Sequence, residues 1–167
     1  MKRVGLALLL LLFVGGCGPT RDPKAEYWRG FAAAHRKGAD DRAEELQDEA
    51  YAAKKAGDLP KTGRLLAEAL GEIQREREAQ AAAVEELNPP QEYRRFHKEY
   101  LASYRSYIAQ IAKYREKLAA ADFSELGGMN PYFQKQKADD EKRLAPYRKE
   151  IDRYEPNLYN DLTGKPR

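Results

Sequence analysis

Beyond Val14 the chain holds one valine, Val84, and four isoleucines, Ile73, Ile108, Ile111 and Ile151. Sheets draw on β-branched residues for their packed faces, so this scarcity removes most β architectures at the outset. Alanine, glutamate, lysine, leucine and arginine dominate the composition, and each is a strong helix former. The expected fold class is therefore all-α.

Punctuation divides the chain into helices. Asp22-Pro23 supplies an N-cap and a first-turn proline, and the pattern then runs to about Ala56, with Gly38 as a possible interruption. Gly57-Asp58-Leu59-Pro60 breaks it, and a second helix runs from about Lys61 to Leu87, ended by Asn88-Pro89-Pro90. The third spans about Gln91 to Ala121, with Gly127-Gly128 as its stop. Asn130-Pro131 caps a fourth that reaches about Tyr154, and Pro146 is placed to kink or divide it. Short breaks between long helices predict an elongated up-and-down bundle of three to four antiparallel helices over 23–155. The tail 156–167, "PNLYNDLTGKPR", shows no helical period and is expected to be irregular.

The first helix offers an inner stripe of Trp28, Ala32, His35, Ala39, Ala43, Leu46, Ala50 and Ala53, small enough for close helix approach. The middle of the second, "QREREAQ" at 74–80, reads as a solvated face or a weak point. Residues 46–73 resemble the middle of a tetratricopeptide repeat, through Ala50, Gly57, Asp58, Leu66 and Ala69. Thr62 stands where that repeat carries alanine, and no second copy follows at the ~34-residue step. A plain helical hairpin has the same spacing.

The chain opens with Lys2 and Arg3, then an apolar run from Val4 to Val14. That run spans only ~16 Å at ~1.5 Å per residue, short of a ~30 Å hydrocarbon core. Its layout is that of an export signal. Val14-Gly15-Gly16-Cys17 resembles the lipobox of bacterial lipoproteins and contains the one cysteine of the chain. The resemblance implies removal of residues 1–16, a diacylglycerol thioether on Cys17, and an acyl group such as palmitate on the new amine. Gly18 in place of aspartate resembles the outer-membrane-sorted class of Gram-negative lipoproteins; otherwise the anchor lies on the outer face of the inner membrane. Residues 17–22 then form a short tether, so Tyr27, Trp28 and Phe31 start near the headgroups, as interfacial rings or as a core stripe.

Without Lys2 and Arg3 the 30 basic and 27 acidic residues come close to balance, so a nucleic-acid partner is not expected. The partners expected are the membrane, through the lipid, and an envelope protein. His35 and His97 lie on different helices without the Glu-x-x-His pattern of di-metal bundles. Asp40, Asp41, Glu44, Glu45, Asp48 and Glu49 form an acidic run with no loop to wrap an ion. Ser103, Ser106 and Ser124 lack a nucleophile elbow. Neither a metal, a cofactor nor an enzymatic activity is expected.

The third helix carries the most unusual pattern. Tyr93, Tyr100, Tyr107 and Tyr114 recur every seven residues, with Tyr104, Ile111 and Leu118 on the adjoining row. They form one broad face, either a core face or an aromatic groove for a ligand. Two functions follow: a non-catalytic binding or scaffold module, or an envelope carrier with a tyrosine-lined cleft. A cavity bordered by Tyr100, Tyr104 and Tyr107 and open to solvent favours the carrier.

Overall fold

The computed structural model describes residues 22–36, 41–124 and 126–163. These residues form a helical bundle, and among them there is no strand. Five helices make its body: α1 (Pro23–His35), α2 (Arg42–Lys55), α3 (Leu59–Glu85), α4 (Arg94–Ala119) and α5 (Leu126–Leu144). Two short ones close it, α6 (Arg148–Tyr154) and α7 (Leu158–Thr163). At ~1.5 Å per residue, α3 and α4 are rods of ~40 Å, and their mutual packing is the spine of the molecule. Among the described residues no helix is long and apolar enough to cross a membrane. Val14, Gly15, Gly16, Cys17 and Gly18 lie outside them.

Local chemistry sets each boundary. Asp22 caps α1 by accepting from the Lys24 N–H at 3.0 Å, and Asp58 caps α3 by accepting from the Lys61 N–H at 3.0 Å. Between α2 and α3, Gly57 turns the chain at φ 79°, the left-handed region open to glycine. Pro146 sits in a 3-10 turn, Ala145–Tyr147, that separates α5 from α6.

Four expectations change. The single first helix is two, because its halves meet different surroundings. Tyr27, Trp28 and Phe31 are all at most 2% exposed, so α1 is wrapped on a wide arc, whereas α2 buries only Leu46, Ala50 and Ala53 against α3. Gly38 and Ala39 lie outside the described residues. Gly127 and Gly128 do not stop the third helix; they fall inside α5, which begins ahead of Pro131. Helix α4 ends earlier, where Ala121 adopts φ 54° and the Asp122 N–H returns to the Lys117 carbonyl at 2.9 Å. The tail is not irregular over 158–163. Leu158 with Leu162 and Tyr159 with Thr163 are i, i+4 pairs, and that stripe packs α7 onto α5 and α6.

Two cores share α4. One gathers Trp28, Phe31, Tyr93, Phe96 and Tyr100 with Leu144 and Ile151; the other holds Leu70, Ile111, Tyr114 and Leu118. Trp28 is the hub of the first, within 6 Å of the rings of Tyr27, Phe31, Tyr93, Phe96 and Tyr147. The rings at the start of α1 are thus core. Lys24 pairs with Glu92 and Glu150, and the Tyr154 hydroxyl donates to Asp22 at 2.7 Å, so the head of α1 is tied to the start of α4 and to α6.

Candidate functional site

The tyrosine face of α4 divides in two. Tyr93, Tyr100, Tyr104 and Tyr114 are buried, between 2% and 6% exposed, and act as core. Tyr107 is the exception: it stays partly exposed, with Phe133 of α5 against it at 5.5 Å between ring centroids. Helices α3 and α5 both rest on α4 yet scarcely touch each other. The gap they leave is a cleft of about 340 Å³, bordered by Tyr100, Tyr104 and Tyr107 and closed at its far end by His35 of α1 and Leu158 of α7. The cleft opens to solvent past Gln134 and Lys137 of α5, both exposed. Hollows of about 580 and 460 Å³ elsewhere are shallower and rimmed mainly by polar and charged side chains.

A polar network floors the cleft. Gln80, fully buried on α3, accepts from Arg77 Nη1 at 2.8 Å and from the Tyr104 hydroxyl, and donates to the His35 carbonyl at 3.1 Å and to Glu76 at 2.7 Å. Arg77 Nη1 also reaches the Tyr104 oxygen at 3.3 Å, while its Nε is buried with no hydrogen-bond partner. The Tyr100 hydroxyl bonds His35 Nε2 at 2.9 Å, and the Tyr27 hydroxyl bonds His97 Nδ1 at 3.3 Å. These two reciprocal pairs stitch α1 to α4. Each histidine is thus spoken for by a phenol, as an interior or rim residue. Each bond is worth ~1 kcal/mol, but stranding one partner in this interior costs ~1–3 kcal/mol, so the network is rigid.

Burial fixes the charge states. It presses the His35 pKa down to about 3, helped by the nearby Arg77 cation, so the imidazole is neutral under physiological conditions. Burial raises Tyr104 to about 12 and holds Tyr100 and Tyr107 above the ordinary phenol range. For Arg77 burial works against the charge, but Tyr104 and Glu76 more than offset it and the guanidinium stays protonated. Asp140 of α5, also on the cleft, is shifted upward by burial, opposed by Arg143 and Gln136.

The acidic run does not converge. Arg42 takes Glu45 at 2.9 Å and Glu49 at 3.6 Å, and among the described residues no group of His, Cys, Asp and Glu is placed to hold a metal. Asp40 lies outside the described residues. The polar stretch at 74–80 is divided: Arg75, Glu78 and Ala79 are exposed, as a solvated face would be, whereas Arg77 lines the cleft and Gln80 is buried beneath it. Their i, i+3 spacing, one turn ahead of buried Ala81 and Val84, is the signal that marks them.

Fold and site together define a helical bundle with one tyrosine-walled, solvent-open cleft. No family model matches the chain, and neither a curated protein nor a solved structure matches it.

Proposed function

We propose that this is a lipid-anchored cell-envelope protein that binds a small or oligomeric ligand without transforming it. The cleft bordered by Tyr100, Tyr104 and Tyr107 is the observation that carries this reading. A filled bundle with a broad apolar surface patch would have favoured a pure scaffold, whereas the large apolar side chains that stand out here, Tyr51 and Leu59, are single residues. The lipobox-like Val14-Gly15-Gly16-Cys17 supports the anchor. Two acyl chains or more at ~0.8 kcal/mol per buried methylene give stable attachment. With Asp22 tied into the fold, the steps from Cys17 to Asp22 span at most ~17 Å at ~3.4 Å each, so the bundle works close to its membrane.

The anchor and the cleft are tested on one preparation, the chain extracted from its own membranes. Native mass spectrometry is expected to show the acylated chain and, above it, a discrete additional mass that dissociates on unfolding. Cys17→Ser is expected to abolish the acyl mass and release the chain from carbonate-washed membranes. A membrane-bound, processed Cys17→Ser chain rejects the anchor, and an acylated chain with no added mass rejects the binding role.

A further inference from the structure

We infer that the cleft continues into the apolar hollow beside it to form one site for an amphiphile with a single acidic head and one aliphatic chain. The inference rests on the binding role proposed for the cleft and names its ligand class. The second hollow, about 280 Å³, is lined by Leu66, Leu70 and Ile73 of α3, Ile111 of α4 and Met129 of α5. Tyr107 and Phe133 line both spaces, so their rings stand at the boundary between them. They meet edge to face at 70°, and both are partly exposed, so turning the Phe133 ring, at the expense of its edge contact with Tyr114, joins the spaces. The hollow alone falls below the ~300 Å³ lower end of ligand sites and the cleft barely clears it, whereas together they fall well inside that range.

The two halves differ in chemistry, and that difference selects the ligand. A solute polar throughout leaves the aliphatic half without contacts, and one apolar throughout leaves the buried Arg77 Nε without an acceptor. Arg77 presents a buried Nε with no protein partner, and Lys137 stands at the mouth of the same cleft. Arg36 also borders it, already paired with Glu155 at 3.1 Å. Asp140 faces the cleft too, but Arg143 Nη1 at 2.7 Å and Gln136 answer its carboxylate from outside. Asp161 contributes a further carboxylate from the α7 side. Three cations and two carboxylates border the cleft; Arg77 Nη1 also lies 3.7 Å from Glu76, but its Nε has no acceptor and Lys137 stands at the mouth, which favours an anionic head over a cationic one.

Methionine provides the probe, because the chain has two, Met1 and Met129, and Met129 lines the apolar hollow. The full chain, carrying ¹³C at its methionine methyls and held in phosphatidylcholine bilayer discs, is titrated with dodecanoate or with dodecyltrimethylammonium. Both probes carry a twelve-carbon chain and both enter the bilayer, so only the head differs. Dodecanoate is expected to shift the Met129 methyl saturably, and the ammonium probe to leave it in place. Ile73→Trp, which fills the hollow, is expected to abolish the shift. Arg77→Met is expected to weaken binding about tenfold, the scale of one charge-assisted hydrogen bond. Because Arg77 also holds Gln80, Lys137→Gln at the exposed mouth supplies a second variant, expected to weaken binding several-fold with the fold intact. An equal response to both probes, or a dodecanoate shift that survives Ile73→Trp, overturns the assignment. If dodecanoate leaves Met129 unmoved while the chain from its own membranes still carries an added mass, the amphiphile is wrong and the cleft still binds. If neither is seen, the binding role falls as well.

Discussion

Trp28→Ala is expected to cost about 3–5 kcal/mol, the range for emptying a buried aromatic site, out of the ~5–15 kcal/mol that holds a domain together. The indole is fully buried and sits among five aromatic rings contributed by α1, by the start of α4 and by the 3-10 turn before α6. No neighbour has the freedom to fill the void. Tyr93 is tied through its hydroxyl to Glu150, and Phe96 and Tyr147 are already in contact at 4.9 Å between centroids. The loss also reaches the cleft, because His35 lies two turns further along α1 and closes its end. Urea denaturation followed by circular dichroism measures the cost. Tyr51→Ala, at a ring 61% exposed, is the matched control and is expected to stay within ~0.5 kcal/mol of the parent. A Trp28→Ala chain within 1 kcal/mol of the parent would mean that α1 is not docked on α4.

The second large effect comes from one added methyl group. A Cβ at Gly63 would stand 2.6 Å from the Leu118 carbonyl oxygen and 3.5 Å from the Ala121 Cα. Both atoms are backbone, so neither can swing aside, and the start of α3 must move off the end of α4. Overpacking of this kind costs ~1–3 kcal/mol, and here it must exceed the ~1 kcal/mol that alanine gains over glycine in a helix. Gly63→Ala is therefore expected to lower stability by about 1–2 kcal/mol. Gly30→Ala is the contrast. Its Cβ meets Leu87 Cδ2 at 2.7 Å, the tip of a flexible side chain, so the clash relaxes and the helical gain survives. Melting temperatures of the two variants are expected to move in opposite directions. A Gly63→Ala chain at least as stable as the parent would show that α3 and α4 do not cross so closely.

How far the sequence anticipated this molecule depended on the range of the forces involved. The cap at Asp22, the break at Gly57 and the break at Pro146 are local, and each appears where its residues place it, while Asp58, read only as part of that break at Gly57, caps α3. The tyrosine register on α4 was equally legible, because a seven-residue step puts side chains on one face whatever lies opposite. What lies opposite was not. Tyr107 shares its register with Tyr100 and Tyr114, and it is set apart only because α5 crosses α4 without closing on α3. Tertiary packing likewise buried Gln80 in a stretch with the composition of a solvated surface, and it recruited Leu158 and Tyr159 into a core from a segment too short to display a period. Ala121 ends α4 in a left-handed conformation that residue type alone assigns to glycine.

The proposed binding role stands on one division of that tyrosine face: four rings as core, and Tyr107 as the wall of an open cleft. Hydroxyl-radical footprinting of the full chain, read ring by ring from its peptides, measures solvent access without regard to charge state. Tyr107 is expected to oxidise at a rate between exposed Tyr51 and buried Tyr100, with Tyr93, Tyr104 and Tyr114 as slow as Tyr100. Protection of Tyr107 equal to that of Tyr100 would mean that α3 and α5 close over it, and that there is no cleft for a ligand to enter.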